Sequence, residues 1–386
     1  MPTNESDVAI IGAGIIGCSI GWELLNRGIK VVLIDTHSSP FQGISSAGFG
    51  SLTPYSDPFF KGEAQKFASM SVDLYRSEWI SRISKEANIE IPVCDDGLIE
   101  LFSSKKLFNK WKIHAQKLNL YRDGIARILS VEETRELEPN LTGKYIGALW
   151  LDEPWIDKTI YFEALEKILR KSLLDSLICN TEVASISESH KTLIITTKNN
   201  TTFTSKYVVV CTGLTASAIE GLPPIPILKW IRGDAIGVHT KDDKPLLNRH
   251  IYMNAGFITP RKNGFMLLGA TYEEEDGLPF EHCRSHRNRI SLSNFQSLIK
   301  FNTRIIPSLK DCEISHVWRG WRPTPLDKMP VLGTVAGYPN IIMANGFIGL
   351  GITMAPAVAK SIGDYLIDNK KDSFPRMFDP NRFNLV

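Results

Sequence analysis

Three stretches of this chain carry residue types and spacings that could do chemistry. The first holds Arg322, in VWRGWRPTPLDKMPVLG from Val317 to Gly333. A guanidinium offers a planar fork of N–H donors that can hold a carboxylate through two parallel hydrogen bonds, which lysine cannot reproduce. The competing assignment for Arg322 is a structural ion pair with an acid such as Asp327. The second stretch is NGFIGLGITMAP, Asn345 to Pro356, a glycine-rich turn running into a helical pattern. A helix N-terminus directs unpaired N–H groups outward and favours negative charge against it. Gly349 and Gly351 permit close approach there, and an ordinary capped turn is the alternative. The third is DVAIIGAGIIGCSIGWELLNRGIKVVLID, Asp7 to Asp35. Gly12 allows a tight turn, Gly14 has no Cβ to block a pyrophosphate, and Gly17 lets a helix lie against a strand. Ile15 and Ile16 begin that helix, whose N–H groups would face the phosphates. Asp35 comes 18 residues after Gly17. With Thr36 beside it, it is placed to accept hydrogen bonds from ribose hydroxyls and to repel a 2′-phosphate. Strand, turn, helix and strand in this order, closed by an acid, make a dinucleotide-binding unit rather than a bare glycine turn.

The bulk properties narrow the class. At 386 residues the chain exceeds one compact core, so two structural domains are expected. A formal charge of +2, with no dense basic patch interleaved with aromatics, argues against a nucleic-acid partner. The six cysteines are scattered without a CxxC pair, and Cys18 and Cys211 read as small buried residues. This usage suits a reducing, cytoplasmic compartment. No metal site is expected: His282 and His286 are four apart, Cys283 points elsewhere, and a surface helix with two histidines accounts for them. Met1 to Asp7 is polar, no signal peptide is read, and no uninterrupted apolar run reaches spanning length, so no integral membrane segment is expected.

The elements that must position these residues follow from periodicity. The serine-rich loop ISSAGFGSLTP, Ile44 to Pro54, suits backbone wrapped closely around a ligand, with a flexible linker as the alternative. Lys61 to Asn88 has helical spacing, as one long helix or two. Gly97 to Phe102 reads as a strand and Lys105 to Leu118 as a helix. Ser130 opens a helix to Leu137 with Glu133 three residues on, a capping box. Tyr145 to Leu151 is a strand, Asp152 to Asp157 a turn, and Thr159 to Leu174 a helix. Ile178 to Ile186 and Lys191 to Thr197 read as a hairpin. Lys206 to Cys211 is a buried strand running into Thr212, Gly213 and a short helix. Prolines from Leu222 to Pro226 mark a boundary. Ala235 to His239, Ile251 to Thr259 and Gly264 to Ala270 then suggest an antiparallel sheet. Phe295 to Ile306 is helical, Ile341 to Ala344 a strand, and about Ile352 to Asp368 a helix. The chain thus weaves between an α/β nucleotide domain and a sheet-based substrate domain.

Taken together, these motifs resemble the flavin-dependent D-amino acid oxidase superfamily, in its glycine oxidase, D-amino acid dehydrogenase and sarcosine oxidase branch. GAGIIG with Asp35 resembles the FAD-binding start. Ser45, Ser46, Gly50, Ser51 and Leu52 resemble the segment beside the pyrophosphate and flavin, with Gly48 standing where many members carry asparagine. Val183 stands where the family packs backbone against adenine, and Cys211, Thr212 and Gly213 resemble its strand-end Ala-Thr-Gly. Val317 to Gly333 is similar to the family's Trp-x-Gly-x-Arg-Pro segment. Gly346, Phe347, Ile348, Gly349, Leu350, Gly351, Ile352 and Thr353 resemble the turn and helix that cradle the flavin pyrimidine ring. Glycine oxidases carry an arginine where Gly349 stands.

The resemblance implies a Rossmann-like FAD-binding domain of the glutathione reductase type, with an inserted α+β substrate domain built on an antiparallel sheet. The corresponding segments are 1–80, 145–222 and 323–386 for the first, and 81–144 and 223–322 for the second. It implies non-covalent FAD, because Cys312 falls at a different offset from the cysteine that tethers flavin in sarcosine oxidases. It also implies oxidation of the C–N bond of a small amino acid or secondary amine, such as glycine, a D-amino acid, sarcosine or proline. Arg322 would bind the carboxylate, and the start at Gly349 and Gly351 would face the charge that develops on the ring. Oxygen or a quinone would be the electron acceptor, and homo-oligomers are compatible with it. A 2-hydroxy acid dehydrogenase and a non-catalytic flavin-binding module are the rival assignments. Tyr252, Phe257 and Trp230, like Phe347, are candidates for the substrate wall, with plain core packing as the alternative for the first three. Arg261 supports either the pocket or its own turn, Arg232 and Gly233 read as structural, and His250 as a surface residue.

Overall fold

Val8–Ile11 and Val31–Ile34 are apolar on both sides of the pleat, as strands covered on two faces must be. A computed structural model describes residues 5–383 apart from 57–59, 214, 216–217, 224–227, 254–255 and 276–288. In it these segments form the middle of a sheet whose order is Val331–Val335, Tyr338–Asn345, Thr202–Val210, Glu5–Ile11, Val31–Ile34 and Leu177–Ile178. From Tyr338–Asn345 onward each neighbouring pair is parallel. Val8, Ile10, Leu33 and Val209 pack under the helices Ile15–Asn26, Lys158–Leu173 and Gly351–Ile367. Ala9, Ile11, Val32 and Val208 face the opposite way, against the hairpin Val183–Ser189 and Thr192–Thr197.

A second sheet of nine strands runs Glu273–Glu275, Leu228–His239, Phe265–Gly269, Gly256–Pro260, His250–Met253, Leu98–Phe102, Gly147–Leu151 and Ala126–Leu129, with Glu313–Pro325 paired along Leu228–His239. Its pairs are antiparallel except that His250–Met253 lies parallel to Leu98–Phe102. The α/β class with a second, mainly antiparallel sheet is therefore the observed one. Gly147–Leu151 belongs to the second sheet, although the segment 145–222 was assigned to the first.

Several elements depart from the sequence reading for local reasons. Ile178 to Ile186 is two strands: the chain turns at Asn180, whose φ of +52° is left-handed, between Leu177–Ile178 and Val183–Ser189. Ile251 to Thr259 is likewise two strands, His250–Met253 and Gly256–Pro260. The turn Asp152 to Asp157 contains a short strand, Trp155–Ile156, paired with Val93–Cys94. Glu63–Leu74 continues through a π-helical turn at Tyr75–Trp79 into Ile80–Ala87. The capping box forms as read: Ser130 Oγ accepts from Glu133 N at 3.1 Å, and Glu133 accepts from Ser130 N at 2.7 Å. The pair His282 and His286 lies outside the described residues, as does part of the stretch after Gly213 where a short helix was expected.

Candidate functional site

Four strand ends of the first sheet meet at one cleft: Ile11 leads into Gly12, Ile34 into Asp35, Val210 into Cys211, and Tyr338–Asn345 into Gly346. A crevice outside the carboxyl ends of parallel strands is where such sheets bind ligands. Gly12 sits at φ +106°, and a Cβ there would lie 2.5 Å from the Cys211 carbonyl oxygen. A Cβ on Gly17 would collide with the Gly12 carbonyl, so the first helix lies against the turn only because position 17 is bare. Ser45 Oγ accepts from Ile15 N at 2.9 Å and ties the serine-rich loop to that helix's first turn. Asp35 Oδ2 accepts from Ala13 N at 2.5 Å, while Oδ1 accepts from His37 N at 2.7 Å and lies 2.8 Å from His37 Nδ1. A carboxylate has about four acceptor sites, so hydroxyl donors can still be taken up.

Farther along the cleft, Asn345 Oδ1 accepts from Gly213 N at 2.8 Å and joins two strand ends. Asn345 Nδ2 and Thr212 Oγ1 are enclosed and have no hydrogen-bond partner among the described residues. Gly346 at φ +71° leaves room for Pro325, whose Cγ would lie 2.6 Å from a Cβ. Ile348 N donates to the Pro323 carbonyl at 3.2 Å, which fixes the glycine-rich turn to the strand carrying Arg322. The helix Gly351–Ile367 starts from this turn.

The Arg322 guanidinium faces the cleft with Nη1 enclosed and, among the described residues, without a hydrogen-bond partner. Burial pulls its pKa below the ordinary arginine value, against a smaller opposing effect of Tyr252 and Tyr272. Its expected structural partner is engaged elsewhere, since Asp327 pairs with Arg382 at 2.7 Å. Gly233 makes room for it: a Cβ there would stand 2.7 Å from Arg322 Nη2. Gly349 lies against it from the other side, with a Cβ position 3.9 Å from Arg322 Cδ. Tyr252 and Phe257 are register partners on adjacent strands and stack at 5.4 Å between ring centroids. Phe49 meets Phe257 edge-on at 4.2 Å, and Trp318 lies 5.5 Å from Phe49.

Behind this wall, Arg261 donates to the Phe49 carbonyl at 2.6 Å and lies 4.4 Å over the Trp155 ring, its pKa pulled down to about 10 by burial. It bonds its own turn as well, with Nη1 donating to the Pro260 carbonyl at 3.0 Å. His250 is buried at 1% exposure, which corrects its surface assignment, and Nδ1 lies 3.0 Å from Ser51 Oγ. Burial holds its pKa well below the usual histidine value, so the ring is neutral.

Most of the nominated residues do line the cleft: Gly12, Gly14, Ile15, Ile16, Asp35, Thr36 and Ser45 at one end, Val183, Thr212 and Gly213 in the middle, and Gly50, Ser51, Tyr252, Phe257 and Arg322 at the other, with the turn from Gly346 to Gly349, Gly351 and Ile352. Gly17, Ser46, Leu52, Leu350, Thr353 and Trp230 do not. Leu52 and Leu350 belong to the core, Ser46 Oγ donates to Gly43 O at 2.9 Å, and Thr353 Oγ1 bridges Thr53 N and Ser51 O at 3.3 Å each. Phe49, Gly233, Trp318 and Asn345 line the cleft and were not nominated. Phe49, Trp318 and Asn345 stand inside the quoted motifs, whereas Gly233, read as structural, gains its place in the cleft through pairing with Gly320 across the sheet. The enclosed polar atoms and the bare-backbone cradle fit an FAD pyrophosphate and ring, and Asp35 fits the ribose.

The bifunctional protein ThiO/ThiG of Nostoc sp. is 25% identical over 97% of this chain, which spans 55% of that protein's length. The glycine oxidase of Geobacillus kaustophilus is 25% identical over 96% of this chain and 95% of its own. The crystal structure of that glycine oxidase superposes with a TM-score of 0.87 at 23% identity, over 98% and 99% of the two chains. L-proline dehydrogenase from P. horikoshii superposes with a TM-score of 0.83 at 20% identity, over 100% and 99%. These likenesses carry the fold. The family model described as FAD dependent oxidoreductase matches residues 7–365, both sheets and the whole cleft included, and by that match the chain belongs to the DAO family of FAD-dependent oxidoreductases.

Proposed function

We propose that this chain oxidises the C–N bond of a small amino acid or secondary amine to an imine, which water hydrolyses. The observation that carries this reading is Arg322, an enclosed guanidinium whose Nη1 has no hydrogen-bond partner among the described residues and which faces the cleft. The names of the glycine oxidase and L-proline dehydrogenase relatives support it. FAD supplies the two-electron acceptor. Arg322 would hold the substrate carboxylate through paired hydrogen bonds and so orient the carbon that bears the nitrogen. Tyr252 and Phe257 would wall the reacting carbon from water. The start of the helix Gly351–Ile367 would present N–H groups to negative charge developing beside it. Gly349 leaves open the space beside Arg322, which supports a substrate larger than glycine. FAD would be held without a covalent bond: Cys312 is not among the cleft residues, and burial pushes the thiol of Cys211, which does line the cleft, well above its ordinary pKa and so keeps it unreactive.

Anaerobic absorbance of the purified, FAD-loaded protein tests the reading. Glycine, sarcosine, proline and D-amino acids are added in turn, then 2-hydroxy acids. Bleaching of the flavin band by at least one amine is the expected result. Bleaching by hydroxy acids alone would make the chain a 2-hydroxy acid dehydrogenase, and a band that stays oxidised throughout would make it a binding module.

A further inference from the structure

Lysines gather on one helix away from the cleft. Lys105–Tyr121, KKLFNKWKIHAQKLNLY, holds five lysines and no acid, in a chain whose net charge is only +2. Its inner face buries Phe108, Trp111, Ala115 and Leu118, so the aromatics interleaved with the lysines in sequence are consumed by the core. Lys106, Lys110, Ile113, Lys117 and Leu120 follow one another at spacings of three or four and share the outer face. Ile113 is 58% exposed and Leu120 88%, and Tyr121 at the helix end is 45% exposed. The patch continues onto the helix Glu63–Leu74, where Lys66 Nζ lies 5.9 Å from the centre of the Tyr121 ring and Met70 is 42% exposed. Lys61 is exposed beside it. Of the nearby acids, Asp73 is matched by Arg122 at 2.8 Å, leaving Glu63 and Asp123. Among the described residues Lys61, Lys105, Lys106, Lys110 and Lys117 form no ion pair.

We propose that the outer face of this helix docks on an anionic lipid surface. A lysine-rich polar face with aliphatic side chains projecting from it is the make-up of a helix that lies in the plane of a bilayer interface. A nucleic acid would call for stacking platforms and arginine forks, and the outward aromatic here is Tyr121 alone. Docking would be peripheral, because no helix among the described residues is long and apolar enough to cross a membrane. The helix covers the sheet face carrying Leu98, Phe102 and Leu149, and Tyr252 of the cleft wall packs at the edge of the same cluster. A bilayer beneath the helix would therefore lie beside the cleft.

Co-sedimentation of the full, FAD-loaded chain with vesicles tests this. Phosphatidylcholine vesicles are compared with vesicles that also contain phosphatidylglycerol. Partitioning should be roughly tenfold or more stronger on the anionic vesicles and should fall with added salt. Lys106→Glu, Lys110→Glu and Lys117→Glu together should abolish that gain, and Leu120→Asp should weaken binding even at low salt. Flavin absorbance and melting temperature report that both variants are folded, and Lys→Gln at the three positions supplies a milder set. Equal partitioning onto neutral and anionic vesicles, or wild-type partitioning by the triple variant, would overturn the proposal. So would retention of heparin or duplex DNA under conditions in which the vesicles are not bound.

Discussion

A guanidinium enclosed beside a Tyr–Phe stack with no acidic partner among the described residues is costly unless an anion arrives to complete it. Arg322→Ala should therefore keep the protein yellow and FAD-loaded while lowering kcat/KM for carboxylate substrates by about 30-fold or more, near 2 kcal/mol. Arg322→Lys restores the charge without the fork and should recover only part of the loss. Asp327→Asn should leave KM unchanged, because Asp327 serves Arg382 at the surface. Steady-state kinetics on the three variants decide it, and wild-type kinetics in Arg322→Ala would remove the carboxylate assignment. Arg322 was legible because its neighbours Trp318, Gly320 and Pro323 make a local pattern. His250 and Arg261 were not: what buries them is Trp155, about 100 residues away in sequence, which stacks on one and lies beneath the other.

Elements with local signals were legible, and those made by distant pairing were not. The glycines at 12, 14 and 17 each answer a constraint within a few residues, and the Ser130 cap closes within four. Glu313–Pro325 gives no such signal, since its alternation is broken by Arg319, Gly320 and Arg322 and it ends in prolines. It becomes a strand because Leu228–His239 pairs with it along nearly its whole length, with Asp234 opposite Arg319. That pair is buried, bonded at 2.7 and 3.1 Å, and Asp234 also accepts from Asn294 Nδ2 at 2.8 Å. Arg319→Met leaves the Asp234 carboxylate buried with its charge unmatched and should cost about 3–5 kcal/mol in urea unfolding. Replacing both residues by apolar side chains of similar volume should recover most of that stability. A single variant as stable as the wild type would show that the ion pair does not hold the long strands in register.

At the scale of the whole molecule, the serine-rich loop Ile44 to Pro54 is tied to the second sheet by polar links, Ser51 to His250, Arg261 to the Phe49 carbonyl and Trp318 Nε1 to the Ala47 carbonyl at 3.2 Å. Beside that junction lies an acid with no counter-charge among the described residues. Glu100 shares a sheet row with Tyr252, its Oε2 is enclosed with no hydrogen-bond partner among the described residues, and Glu153 is near it. Burial first, and the Glu153 charge second, push the Glu100 carboxyl from an ordinary 4.5 up to about 8. Glu153 itself accepts from Tyr55 N and Ser56 N at 2.5 and 2.7 Å, so its carboxylate is held in place. The consequence for stability has a definite sign. Below pH 4.5 both folded and unfolded chains keep the Glu100 proton and nothing is lost. Between 4.5 and 8 the unfolded chain releases it while the fold retains it, so this residue lowers stability by up to about 1.4 kcal/mol for each pH unit. Above 8 the loss is complete. Glu100→Gln preserves the shape of the neutral acid and removes the titration. Its melting temperature relative to the wild type should rise from pH 5 to pH 8, and curves that stay parallel across that window would show that Glu100 ionises normally in the fold.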